Sequence, residues 1–242
     1  MLWSVASVAS AADLAPGVTY RVLVSDGVPF RVVTVDLDRA DLSLVGQTAG
    51  GPHTAADLAA STPPGWVAAT NAGIFHRVDL PVGLWVETGV VRHPIERGDG
   101  AGNFFLKPNG VFTVDAGGAR IVDAASYAPQ PPVRLATQSG PALVLGGALH
   151  PKFIPDSPSV TIRNAVGVQD PHTVHLVYSE VPVRFWTLAT FLRDTLRCPD
   201  ALYLDGTISG LWGPALPSAD GTRVGPPYQG LSYAGFLVVS PR

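Results

Sequence analysis

The side chain best placed for chemistry is Asp205. It follows the apolar run Leu202-Tyr203-Leu204 and precedes Gly206, so a carboxylate is expected at the end of a buried strand with a permissive turn behind it. Such a group is either functional or paired with a buried cation. Arg163 and Asn164 stand just before Ala165-Val166-Gly167-Val168, the mouth of a second apolar strand, and an Arg163–Asp205 ion pair is the structural alternative. Other motifs carry less. Gly98-Asp99-Gly100-Ala101-Gly102 lacks dinucleotide spacing and precedes a hairpin, not a helix. Gln138-Ser139-Gly140-Pro141 has Thr137 where a nucleophile elbow needs glycine, and Pro141 where a helix should begin. His172 and His175, three apart on a strand, point to opposite faces and read as surface histidines, and Asp36 and Asp38 read as a solvated acidic rim. No ligand cluster calls for a metal, and no cofactor is expected.

The elements that must position these groups are mostly strands. Tyr20 to Val24, Phe30 to Asp36 and Leu42 to Val45 carry β-branched or aromatic residues between turn signals and open the fold as a meander. Thr54 with Asp57 is a capping-box start for a short helix that Pro63-Pro64 stops. Trp66 to Thr70 follows as a buried strand. Hairpins are expected at Thr88-Gly89, at Pro108-Asn109-Gly110 within Asn103 to Val114, near Gly146-Gly147 and near Asp170-Pro171. Leu188, Phe191, Leu192, Thr195 and Leu196 repeat at helical spacing, giving one amphipathic helix that ends at Cys198-Pro199. Ala201 to Leu204 and Tyr233 to Val239 complete the strands. The predicted fold class is α+β, a single domain dominated by a mixed or antiparallel β-sheet with about two helices.

Composition agrees. In 242 residues, 46% are apolar and 14% charged, enough to build a core. The 26 glycines and 23 prolines lack a period, which favours turn-rich β structure over collagen or low complexity. With a net charge of −3 and 16 scattered basic residues, nucleic acid is excluded as an expected partner. No segment is long and apolar enough for stable membrane insertion. The lone Cys198 closes no intrachain disulfide and reads as a buried, inert thiol. Ala9-Ser10-Ala11 has the A-x-A form of a signal-peptidase site, with no Lys or Arg before Arg21. Residues 1–12 therefore read as the remnant of a signal peptide whose beginning lies upstream, residues 13–242 as the domain, and the expected location is periplasmic or extracellular.

Taken in order, Asn71-Ala72-Gly73-Ile74-Phe75, Pro81-Val82-Gly83-Leu84, the run Gly102 to Phe112, Gln138-Ser139-Gly140-Pro141, His150-Pro151-Lys152-Phe153, Arg163-Asn164-Ala165-Val166-Gly167 and Leu204-Asp205-Gly206 resemble the phosphodiester glycosidases, in their small bacterial branch. The resemblance runs from about residue 20 to the C-terminus. It implies hydrolysis of the C1–O bond of a sugar-1-phosphodiester or phosphate-linked glycan. Two strings depart from the family pattern: Asn71-Ala72-Gly73 stands for Asn-Gly-Gly, and Asp205-Gly206-Thr207-Ile208-Ser209-Gly210 lacks the second serine of Asp-Gly-Gly-x-Ser-Ser. On this resemblance Asp205 stabilises or attacks the anomeric carbon and Arg163 holds the phosphate. Asn71, Gly73, Gln138, Ser139, Gly140, His150, Lys152 and Ser209 contact substrate, with His76 and His150 as reserve acid/base groups. A phosphodiesterase breaking the P–O bond, and a noncatalytic polysaccharide-binding module stacking sugars on Trp85 or Trp212, are the alternatives.

Overall fold

The computed structural model describes residues 6–46, 50–51, 54–62, 65–75, 80–129, 132–214, 216 and 231–242. His76 and Pro63-Pro64 lie outside them. Seventeen strands and two helices are formed in these residues, and every strand pairing among them is antiparallel. The chain opens with β1 (Ser7–Ala15), β2 (Val18–Ser25), β3 (Val28–Asp36) and β4 (Ala40–Gly46), then α1 (Ala55–Ser61), β5 (Ala68–Asn71), β6 (Trp85–Glu87) and β7 (Val90–His93). It continues with β8 (Gly110–Asp115), β9 (Gly118–Asp123), β10 (Val133–Ser139), β11 (Ala142–Leu145), β12 (Ala148–Leu149), β13 (Asn164–Asp170) and β14 (Thr173–Ser179). Helix α2 (Phe185–Thr190), β15 (Asp200–Asp205), β16 (Leu211–Trp212) and β17 (Gly235–Pro241) complete it.

Three sheets result. The largest has the order β1-β2-β3-β14-β13-β15-β11-β12, the second β7-β6-β10-β8-β9, and the third β16-β5-β17-β4. One apolar core lies where all three meet, joining Val33, Val35, Leu44, Phe112, Leu135, Val166, Leu202, Leu204 and Leu237. The opposite face of the large sheet, with Ala165, Val177 and Tyr203, packs on Leu188, Phe191 and Leu192 of the amphipathic helix. Burying large apolar side chains is worth about 1.5–3 kcal/mol each, so these two interfaces hold the sheets in register.

Local signals explain most elements. Thr54 accepts from the Asp57 backbone N–H at 3.2 Å while Asp57 accepts from the Thr54 N–H at 2.9 Å, so the capping box forms as expected. Thr88 and Gly89 take φ of 47° and 81° and close the β6–β7 hairpin. Three expectations need correction. Asn103–Phe105 is a 3-10 turn and not a strand, so Gly110 begins β8 and pairs forward with β9. β4 leaves the opening meander to pair with β17 in another sheet. His175 is not on the surface: at 4% exposure it faces Thr34 Oγ1 and Gln169 Oε1, each at 3.0 Å. At the N-terminus, Ala9-Ser10-Ala11 lies within β1, an edge strand paired to β2. No helix among the described residues is long and apolar enough to cross a membrane.

Candidate functional site

Asp205 sits where the three sheets converge, and a bulge aims it. Along β15 and β13, Tyr203 pairs with Ala165 and Asp205 with Asn164, so Leu204 is one extra residue opposite a single step of the partner. The insertion brings the carboxylate to the same face as Asn164, away from the helix-facing side that strict alternation from Tyr203 would give. Ser139, at the end of β10, donates to the carbonyl of that extra Leu204 at 3.2 Å.

The carboxylate is held on both oxygens. Gly206 N–H donates to Oδ1 at 2.7 Å, and Asn71 Nδ2, at the end of β5, donates to Oδ2 at 2.9 Å. Asn71 is itself fixed. Its Oδ1 accepts from Asn164 Nδ2 at 3.0 Å and from Gly210 N–H at 2.9 Å. Asn164 Nδ2 also reaches Thr70 Oγ1 and the Asn71 carbonyl, both at 2.8 Å, while its Oδ1 accepts from Ser209 Oγ at 3.0 Å. Among the described residues this network has no cation in it. Burial therefore dominates, pushing the Asp205 carboxyl up to about 6 against the pull of its two hydrogen bonds. The result is a carboxylate costly to ionise and fixed in direction, the state expected of a group whose charge is used.

Asn164 is the central residue that sequence reasoning left out of the site, together with Thr70. The available signal was parity: Val166 and Val168 face the three-sheet core and Ala165 faces the helix, so Asn164 and Arg163 must diverge. Arg163 indeed lies on the helix side. At 1% exposure its guanidinium stacks 3.7 Å over the Phe185 ring, with Nε donating to the Val183 carbonyl at 2.9 Å. Nη2 reaches Ser159 at 3.4 Å, and buried Nη1 has no hydrogen-bond partner. No ion pair joins Arg163 to Asp205 among the described residues, so the structural alternative fails.

The other residues divide. Asn71 and Ser209 belong to the network. Gly73 follows Asn71 at φ 72°, where an added Cβ would come 3.0 Å from Thr137 Oγ1 and 3.2 Å from Trp85. Gln138 is committed to the backbone: Oε1 accepts from Leu84 and Glu96 N–H at 3.0 and 2.9 Å, and Nε2 donates to the Glu96 carbonyl at 2.6 Å. Gly140 gives close passage, since a Cβ there would stand 2.6 Å from the Phe104 carbonyl oxygen. Buried His150 accepts at Nδ1 from Lys152 N–H at 3.2 Å and stacks on Phe153, which stacks on Phe185. It thus stands behind Arg163 through two rings, and burial lowers its pKa. Lys152 is exposed. Trp85 is fully buried with Nε1 donating to Glu87, and Trp212 packs edge-on to Tyr233 and Phe236, so Trp85 offers no stacking face for a sugar. Cys198 is buried and its thiol is pushed up to about 12, consistent with an inert side chain.

Comparison with known proteins places the chain among relatives of one family. The family profile described as phosphodiester glycosidase matches residues 64–213. The uncharacterized protein YigE of Escherichia coli (strain K12) is 34% identical over 151 residues, 62% of this chain and 59% of the relative. The chain therefore aligns with about three-fifths of that relative's length. Solved structures that share the fold include the following two. The zebrafish N-acetylglucosamine-1-phosphodiester alpha-N-acetylglucosaminidase catalytic domain, auto-inhibited by its pro-peptide, gives a TM-score of 0.62 at 15% identity over 100% of this chain and 89% of that one. A hypothetical protein from Synechocystis gives 0.61 at 16% identity, over 93% and 62%.

Proposed function

This chain belongs to the phosphodiester glycosidase family, and from that premise we propose that it hydrolyses the C1–O bond of a sugar-1-phosphodiester. The observation that carries the proposal is the Asp205 carboxylate, clamped by Asn71 and Gly206 and facing no cation among the described residues. As the C1–O bond lengthens, its electron pair leaves with the phosphate oxygen and positive charge builds on the sugar ring. An ionised carboxylate in fixed position stabilises that charge or bonds to C1. Water then supplies hydroxide to C1 and a proton to solvent, and where Asp205 has bonded to C1 that C1–O bond breaks and returns its electron pair to the carboxylate. The phosphate needs no strong general acid, so one carboxylate suffices.

In this proposal the Arg163 charge attracts the departing phosphate from its buried place on the helix side, and exposed Lys152 is the next cation available to it. Asn71, Asn164 and Ser209 direct Asp205. Ser139 and Gln138 shape the surrounding backbone. Export, suggested by Ala9-Ser10-Ala11, would place the activity among envelope or secreted glycans; intact-mass analysis of protein from the native envelope tests it, with a chain retaining Met1 in the cytoplasm as the contrary result.

Hydrolysis of a sugar-1-phosphodiester in oxygen-18 water tests the reaction. Free reducing sugar with label at C1 is expected. Label in the phosphate would mean P–O cleavage, and binding without turnover would mean a noncatalytic module.

A further inference from the structure

We infer that Tyr203 is a positioning residue for Asp205, acting through the backbone of Gly206. Three observations converge on it. Tyr203 is 1% exposed and is fixed by an edge-on contact to Phe185 at 4.8 Å between ring centroids. Its hydroxyl lies against the backbone of Gly206, where an added Cβ would come 2.6 Å from Oη. Gly206 N–H is one of the two groups holding the carboxylate, at 2.7 Å from Oδ1.

The glycine is thereby explained. Gly206 is not among the residues with positive φ, so its backbone conformation does not demand glycine. The sequence expectation of a permissive turn is replaced by a steric one: the space a methyl group would need is occupied by the tyrosine oxygen. No real Cβ contact is as short as 2.6 Å, so alanine at 206 must displace either the ring or the peptide that carries the N–H. The ring is packed on Phe185, and Ser209 N–H donates to the Gly206 carbonyl at 2.7 Å from the other side. The next atoms around the same Cβ are the Tyr203 Cζ at 3.9 Å and the Thr161 methyl at 3.6 Å, both ordinary contacts. Removing the single hydroxyl oxygen would therefore make room for the methyl.

The titratable groups acting on one another here are few. Burial is the main cause raising the pKa of Tyr203 and of Tyr233, and the Asp205 charge adds to both, with Tyr178 adding to Tyr233; Arg163, on the helix side, and side-chain hydrogen bonds with Asn103 and Arg163 pull Tyr203 the other way. Both tyrosines stay protonated over the range in which Asp205 titrates. A movement of the Asp205 titration then reports on its N–H partner.

The test is a double-mutant cycle with Tyr203→Phe, Gly206→Ala and both together. Its primary readout is the Asp205 carboxyl titration by carbon-13 NMR, which needs no substrate; the acid limb of turnover is read in parallel and rests on the glycosidase proposal. Gly206→Ala should move the titration upward by loosening the N–H, and lower turnover at least tenfold at pH 6. In the double variant the titration should return close to that of the native chain, and turnover should recover most of the loss. An unmoved titration in Gly206→Ala overturns the inference, as does a double variant no better than Gly206→Ala alone. If Gly206→Ala does not fold, a folded double variant with the native titration supports the inference and an unfolded one refutes it. A normal NMR cycle with no turnover in any variant would refute the glycosidase proposal and leave the positioning role standing.

Discussion

Asn71 and Asp205 lie 134 positions apart in the chain and end strands of different sheets, yet Asn71 Nδ2 donates to Asp205 Oδ2 at 2.9 Å. The bond ties β5 to β15 at the point where charge must be controlled. Neutral donors hold the carboxylate, so its direction is fixed without the charge being cancelled. That distinction governs what substitution at Asp205 should do.

Asp205→Asn should cost at least about a hundredfold in turnover, because charge stabilisation needed in the transition state is removed. Stability should respond in the opposite sense. The folded carboxyl titrates near 6, above its ordinary value of 3.8, so its contribution to stability is full below about pH 4 and is lost as pH rises through 6. A displacement of about two pH units corresponds to about 3 kcal/mol at neutral pH. The amide escapes that cost, so the variant should melt at or above the native chain at pH 8, with the advantage vanishing by pH 4. Denaturant melts at the two pH values check this. A loss of about 3–5 kcal/mol at pH 8, as for a broken buried ion pair, would contradict it.

Turnover itself should carry the same signature. If ionised Asp205 faces the sugar, kcat falls as pH drops through about 6, the value at which burial places this carboxyl. A pH–rate profile of the native chain measures it. A rate that rises on acidification through 6 would instead assign Asp205 the role of proton donor.

Much of this arrangement was legible from local sequence, and the remainder depends on contacts distant in the chain. The Thr54–Asp57 box is a local rule and forms as expected, whereas the Leu188–Leu196 stripe is α-helical only to Thr190 and continues as a π-helical segment over Phe191–Thr195. Asp205 stands out in the sequence because an apolar strand followed by glycine marks a strand end. Its orientation does not, since the extra residue at Leu204 is defined only by pairing with β13. Arg163 and Asn164 share one strand mouth in the sequence, although adjacent strand residues point apart. Gln138 resembled a substrate contact because buried amides and ligand-binding amides share a residue type; only the Leu84 and Glu96 backbone reveals its work.

Gln138→Ala should therefore behave as a folding lesion. Two N–H donors and one carbonyl acceptor lose their partner in a buried setting, which is worth about 2–4 kcal/mol. The ratio of kcat/KM between two sugar-1-phosphodiesters differing only in the sugar should not change. A changed ratio with an unchanged melt would return Gln138 to the substrate.

His175 should dominate acid sensitivity on the large sheet. Its Nδ1 lies 3.0 Å from Thr34 Oγ1 and its Nε2 3.0 Å from Gln169 Oε1, and burial, which disfavours the charged ring, pushes its pKa down to about 4. With the folded value below the ordinary 6.5, its stabilisation is complete above pH 6.5 and is lost as pH falls toward 4. The loss is about 3 kcal/mol across that window. His175→Gln should flatten the stability profile between pH 6.5 and 4. An equally steep profile in the variant would assign the acid sensitivity elsewhere.

Arg163→Ala separates a phosphate-holding cation from a packing element. The side chain fills space between Phe185 and the Val183 carbonyl, so truncation should cost about 2–4 kcal/mol of stability whatever its role. Activity distinguishes the two. A charge-assisted contact that tightens as negative charge builds on the leaving phosphate is worth about 2–4 kcal/mol in the transition state, or roughly thirty- to a thousandfold in rate. A neutral aryl glycoside of the same sugar has no phosphate to attract, so its rate should fall only by the disturbance passed to Asp205 through Tyr203. Rates on both substrates, measured below the variant's melting range, give the contrast. Equal losses would make Arg163 a packing element under the site, and Lys152→Ala would then be the variant expected to discriminate between the substrates.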